Sequence, residues 1–198
     1  MYHTPKLFTI VFILFFCLLN ELMSQDNFKD EYEERIKLEE LPESVQKAML
    51  PLIKDIKKVK IYKERQNDQL YYEAKYVQKK ENISAKFDSV GIAIDIEVQQ
   101  SFDKLSQSIQ DSIEIFILKK SSKYEIKKIQ IQYFSNDADL VAKFLADARS
   151  LPQNYEIEIV TKSTDEKSNG AFEIIFNIDG RFISKRRIKS APSDNIIY

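Results

Sequence analysis

Two blocks of two-residue alternation, each preceded by a helical stripe, limit the folds open to this chain. In the first block, Val59 and Ile61 alternate with Lys58, Lys60 and Tyr62, and Tyr72, Ala74 and Tyr76 with Glu73, Lys75 and Val77. Ile83, Ala85 and Phe87 then alternate with Ser84, Lys86 and Asp88, and Ile92, Ile94, Ile96 and Val98 with Ala93, Asp95 and Glu97. Successive side chains of an extended strand point to opposite faces, so each run reads as a half-buried strand. The turns "RQND", "KKEN" and "DSVG" leave short connections, which favour antiparallel hairpins. The second block repeats the phrasing. "IKKIQIQ" echoes "IKKVKIY", "YEIEIV" echoes "YEAKYV", and "AFEIIFNIDGRFISKRRI" echoes "ISAKFDSVGIAIDIEV". Phe87 and Phe176 each stand four residues before a glycine, Gly91 and Gly180, placed where a tight hairpin needs positive φ.

Apolar residues at spacings of three and four open each block. Leu41, Val45, Ala48, Met49, Leu52, Ile53 and Ile56 form one stripe, and Phe102, Leu105, Ile109, Ile113, Phe116 and Ile117 the other. Both predict amphipathic helices. Pro42 suits a first helical turn, whereas Pro51 lacks an N–H and must kink or end its helix. The second block is longer. Its extra residues include Leu140, Val141, Phe144, Leu145 and Ala148 at helical spacing, which predicts an inserted helix over 137–148. "KSTDEKSNG" reads as a flexible polar loop. The expected fold class is α+β: two tandem α-β-β-β-β units, 41–100 and 101–190, with helices packed on one face of an antiparallel sheet.

The flanks read differently. Lys6, an apolar run from Leu7 to Leu19 and a small residue at Ser24 fit a secretory signal peptide over 1–24, cleaved near Ser24. The run is shorter than the roughly 20 residues that span a bilayer. The expectation is a periplasmic or secreted protein with no stable membrane insertion after cleavage; an uncleaved anchor is the alternative. Residues 25–40 read as a charged, solvated lead-in, and 191–198 as a C-terminal tail.

"LPESV", followed by "YEAKYV" and "ISAKFDSVGIAI", resembles the PepSY-like units of exported bacterial proteins. A tandem pair of such units resembles the beta-lactamase-inhibitor-protein fold. The resemblance covers about Leu41 to Ile188. The second block departs from it, lacking the "LP" opening and carrying "FNIDG" in place of "FDSVG". The resemblance implies a non-catalytic extracytoplasmic module that binds or inhibits another protein.

The residue inventory excludes several chemistries. His3 and Cys17 are the only histidine and cysteine, so beyond residue 24 there is no imidazole and no thiol. A Ser–His or Cys–His nucleophile cannot be assembled there, nor a disulfide, and a zinc site would rest on carboxylates alone. Three glycines leave no phosphate-cradling loop. No catalytic, cofactor-binding or metal-binding residue is therefore expected. With 30 basic and 31 acidic residues, bulk nucleic-acid binding is not expected either.

Some pairings stay open. Glu73, Glu156 and Glu158 could form an acid/base pair; the plainer reading is outward-facing strand residues paired with lysines. "NDAD" (136–139) and "NIDG" (177–180) lack the length of a calcium loop and read as a helix cap and a hairpin turn. Residues 181–189 carry five bases and no acid, against eight acids and three bases in 25–43. The basic run could receive an acidic partner, stand as a solvated edge strand, or lie beneath the acidic lead-in. The sheet face away from the helices is expected to be open, presenting Tyr62, Tyr71, Phe182 and Arg186 as anchors for a protein or peptide partner. A structural role in an envelope complex and a carboxylate-based hydrolase are the alternatives.

Overall fold

The computed structural model describes residues 28–29, 31–66, 68–119, 121, 123–135, 139–162 and 169–189. The expected signal (1–24), the tail (191–198), residues 163–168 of the polar loop, and Asn136 and Asp137 of "NDAD" lie outside the described residues. In chain order the elements are β1 (Phe28–Lys29), β2 (Glu31–Ile36), α1 (Glu43–Ile53), β3 (Val59–Gln66), β4 (Gln69–Gln78), β5 (Glu81–Asp88) and β6 (Ala93–Gln99). They continue with α2 (Gln107–Leu118), β7 (Lys123–Phe134), α3 (Leu140–Asp147), β8 (Gln153–Lys162), β9 (Gly170–Asn177) and β10 (Phe182–Ile188). Pro51 sits in the last turn of α1, which stops two residues later at Ile53.

All ten strands belong to one sheet, in the order β1-β10-β9-β8-β7-β6-β5-β4-β3-β2. β1 and β2 stand at opposite ends of that order, yet a single residue separates them in the chain. The sheet must therefore curl until its two edges nearly meet. β1 runs parallel to β10, with Phe28 opposite Arg187 and Lys29 opposite Ile188. β2 runs antiparallel to β3, from Glu31 opposite Gln66 to Ile36 opposite Ile61.

This corrects the expected fold class. The chain is not a pair of tandem four-stranded α+β units on an open antiparallel sheet. Among the described residues it is a mixed, nearly closed ten-stranded barrel with three short α-helices. Phe28–Lys29 and Glu31–Ile36, expected as part of a solvated lead-in, bridge both edges as strands. β10 consequently has a neighbour on each side and is no solvated edge.

The helices cover the apolar outer face in two clusters. Val45, Met49, Leu52 and Ile53 of α1 pack on Ile61, Tyr72, Ala85, Phe87 and Ile96. α3 joins that same cluster, with Leu140 fully buried and Phe144 edge-on to Tyr133 at 5.4 Å between ring centroids. Ile109, Ile113 and Ile117 of α2 pack on Tyr155, Ile157, Phe172, Ile174 and Phe176. Local echoes persist inside the single sheet. Tyr72 is opposite Phe87 and Tyr155 opposite Phe176. Asp88 Oδ1 accepts from Val90 and Ile92 N–H at 3.0 and 2.8 Å, and Asn177 Oδ1 accepts from Asp179 and Arg181 N–H at 3.0 and 2.8 Å.

Gly91 (φ +92°) and Gly180 (φ +78°) close these two turns beneath the helices. A Cβ on Gly91 would lie 2.7 Å from the Ser44 carbonyl oxygen at the start of α1, whereas one on Gly180 would meet the Ser112 hydroxyl at 2.8 Å. Backbone cannot swing aside as a hydroxyl can. Gly91→Ala should therefore cost about 2–4 kcal/mol and Gly180→Ala about 1–2 kcal/mol, the shared part being the left-handed backbone. Urea unfolding of the two variants checks the order; equal losses would refute the role given to the Ser44 carbonyl.

Candidate functional site

Alternation sends the polar half of every strand to the other face, which closure turns into an interior. Glu64, Glu73, Ser84, Gln130, Glu156 and Glu173 are all buried there. Charged groups survive such burial only when paired, and the walls supply one another's partners. Lys75 Nζ lies 2.9 Å from Glu33 and 3.0 Å from Glu73. Lys86 Nζ lies 2.9 Å from Glu64 and 3.9 Å from Glu31. Lys29 of β1 reaches Glu173 at 2.7 Å, Glu31 at 3.3 Å and Glu156 at 3.9 Å. Lys128 pairs with Glu158 at 2.7 Å, and Arg186 Nε donates to Glu173.

The expected anchors are not brought together. Tyr62 is half-buried against the Lys75 ammonium, 4.8 Å from its ring centroid. Tyr71 donates to Gln69, with the Lys86 ammonium 5.7 Å from its ring centroid. Arg186 is engaged with Glu173 on β9. Phe182 lies on the helix side, stacked on Phe116 of α2 at 4.5 Å. Strict alternation put Phe182 and Arg186 on one face; the register shifts between Phe182 and Ser184, and this bulge reverses the phase. The expectation of an open sheet face is overturned by closure. Glu73 and Glu156 do pair with lysines, but inside the barrel, 5% and 4% exposed.

Sequence reasoning missed Lys29, Glu31 and Glu33, because a strand that is charged on both faces shows no apolar alternation. It also passed over Glu64, Asp95, Glu97 and Glu173. Their signal was present: each occupies the polar phase of a predicted strand.

Among the described residues, Glu33, Glu64 and Glu73 could bring three carboxylate oxygens within 4.8 Å of one another. Each of the three already has an ammonium, Lys75 or Lys86, within 3.0 Å, so the donor set does not fit a metal ion. An outer groove of about 770 Å³ between β2, β3 and α1, bordered by Ile36, Leu38, Leu50 and Ile53, is not lined by Glu73, Glu156 or Glu158.

Acid and base are unevenly distributed. Burial pushes Asp95 up to about 7, with Glu156 and Glu73 adding to the rise and Lys86 opposing it. Burial, then Asp95, carries Glu97 to about 7, and burial with Glu97 holds Glu156 well above the carboxylate range. For Glu173, burial is outweighed by Lys29 and Arg186, which bring it down to about 2. The Glu64–Lys86 pair is lopsided. Burial keeps Glu64 raised despite its lysine, whereas Lys86 overcomes burial by drawing on Glu64, Glu31, Glu73 and Asp95. The 2.9 Å contact marks it as an ion pair all the same.

No family model matches the chain, PepSY-like models included. No curated protein matches it. Solved structures share its fold. A DUF2874 family protein from Bacteroides ovatus superposes with a TM-score of 0.52 at 14% identity, covering 74% of this chain and 87% of its own. A candidate periplasmic protein from Bacteroides eggerthii gives 0.51 at 13% identity, covering 74% and 88%. A BLIP-like protein from Bacteroides fragilis gives 0.48 at 12% identity, covering 77% and 90%. At these identities the first two show a likeness of fold alone. Among the described residues, no helix is long and apolar enough to cross a membrane.

The raised carboxylates set a pH response. Unfolded carboxylates titrate near 4. Between about pH 4 and 7 the folded chain therefore holds protons on Asp95 and Glu97 that the unfolded chain has released, and stability falls as pH rises through that window. Glu173 acts oppositely, its contribution being lost as pH falls from about 4 toward 2. The urea midpoint should be higher at pH 5 than at pH 8, and Asp95→Asn should narrow the gap by stabilising the chain at pH 8. A higher midpoint at pH 8 for the unaltered chain would contradict this. Lys86→Ala strands Glu64 in the interior and should cost about 3–5 kcal/mol, read in the same urea titration; a loss below 1 kcal/mol would show that water reaches Glu64.

Proposed function

We propose that the chain is a non-catalytic module of the periplasm or cell exterior that binds a protein or peptide partner. One observation carries the non-catalytic part. The carboxylates a hydrolase would use are tied up, Glu73 by Lys75 and Ser84 and Glu156 beside Lys29, within an interior closed by β1 and β2. Such groups have neither the access nor the free geometry that proton transfer to a substrate requires. The location is supported by the signal-like start, with Lys6 followed by the Leu7–Leu19 run, and by the candidate periplasmic protein among the fold neighbours.

The binding surface is the outside of the β9–β10 hairpin. Phe182 is 45% exposed although stacked on Phe116, and Ile178 and Ile183 on the same hairpin are 46% and 51% exposed. An aromatic ring held rigidly from below, with aliphatic neighbours, is the arrangement that anchors protein contacts. Immobilised protein should retain an envelope partner in stoichiometric amount, and Phe182→Ala with Ile183→Ser should lose it while remaining folded, its stability to urea falling only by the lost ring packing, about 1–2 kcal/mol. Retention by that variant would remove the hairpin from the interface. Hydrolysis of peptides or glycosides that is abolished by both Glu73→Gln and Glu156→Gln would replace this reading with an enzymatic one.

A further inference from the structure

The strand that closes the barrel is attached in an unusual way. β2 pairs with β3 over six positions, while β1 pairs with β10 over only two. On the inner side, charges recur at every second position: Lys29 meets Glu173 and Glu156, Glu31 approaches Lys86, and Glu33 meets Lys75. On the outer side the strand buries little. Tyr32 is 67% exposed, Phe28 is 39% exposed, Glu34 is exposed, and Ile36 alone among β2 residues packs against the first core. Main-chain hydrogen bonds and charge pairs thus hold it in place, with a small apolar contribution. Any extended segment with the same charge order can form the same ladder and the same pairs.

We infer that β1 and β2 are exchangeable, and that the seam between β10 and β3 accepts in their place an extended segment of a partner protein. The segment carries a cation followed by acids two and four residues on. Charge complementarity fixes that order, because Glu173 and Glu156 wait at the β10 side and Lys86 and Lys75 at the β3 side. The resident strand is tethered and so competes at a high effective concentration. A free segment gains access only in the fraction of molecules whose seam is open, which weakens its apparent affinity by that fraction. Occupation of the seam does not depend on the Phe182 surface.

The test uses the full chain with Cys17→Ser and a fluorescent peptide of residues 26–37, DNFKDEYEERIK. Anisotropy should show weak, saturable uptake by the unaltered chain. Glu33→Lys sets a second cation beside Lys75, loosens the resident strand, and should tighten uptake at least tenfold. Glu34→Cys with Lys63→Cys, directly opposite in register, allows a disulfide that locks the strand and should abolish uptake. A peptide with Lys29→Glu and Glu31→Lys should fail to bind, and Phe182→Ala should leave uptake unchanged. Equal uptake by locked and unlocked chains, or none by either the unaltered or the Glu33→Lys chain, overturns the inference. A lock-sensitive dimer in light scattering without peptide uptake also overturns it, showing exchange between copies instead. Should Glu33→Lys not fold, the locked and unlocked chains at millimolar peptide still decide.

Discussion

The Lys29 ammonium lies within 4 Å of three carboxylates, on β2, β8 and β9. Without it, Glu173, fully buried, would keep Arg186 as its only other cation in reach of a salt bridge among the described residues. Part of the interior matching is local, Lys75 with Glu73 on one strand and Lys128 with Glu158 and Arg186 with Glu173 on neighbouring strands, whereas Lys29, Glu31 and Glu33 bring in charges from the two closing strands. Closure adds to that neutralisation: Lys29 on β1 and Glu31 and Glu33 on β2 supply partners to Glu173, Lys86 and Lys75, and Lys29 reaches Glu31 across the joint between the two ends of the sheet. The price is a local surplus of acid around Asp95, Glu97 and Glu156, which the fold accommodates by holding protons.

The outer face follows simpler rules. Each helix lays apolar side chains across apolar strand residues, and α1 and α2 are each seated over a turn glycine whose lack of a side chain permits the close approach. The two faces of one sheet thus use opposite physics. Dispersion and water exclusion act outside the barrel, and charge pairing inside it.

Much of this was legible in the sequence, for identifiable reasons. β3 to β10 each announce themselves by apolar alternation, and α1, α2 and α3 by spacing, because one face of every such element is greasy. The Gly91 and Gly180 turns were readable because so few other residues tolerate positive φ. β1 and β2 were not. Glu31, Glu33, Glu34 and Arg35 offer no apolar phase, and a strand that is charged on both faces looks like a solvated tail until the ions awaiting it are known. Closure was invisible for that reason, and with it the fact that the polar face is an inside. Phe182 was misplaced by a single bulge, since one extra residue inverts everything beyond it.

α3 lies between β7 and β8 in the chain, yet Leu140 and, just after it, Leu151 complete the cluster beneath α1. In a polypeptide made from its N-terminus, Val45 and Met49 appear nearly a hundred residues ahead of the side chains that finish covering them. The earliest described segment, Phe28–Lys29, likewise waits for the latest, Arg187–Ile188. The cluster beneath α1 is therefore complete only after Leu151 has been made, and the seam only after β10 has.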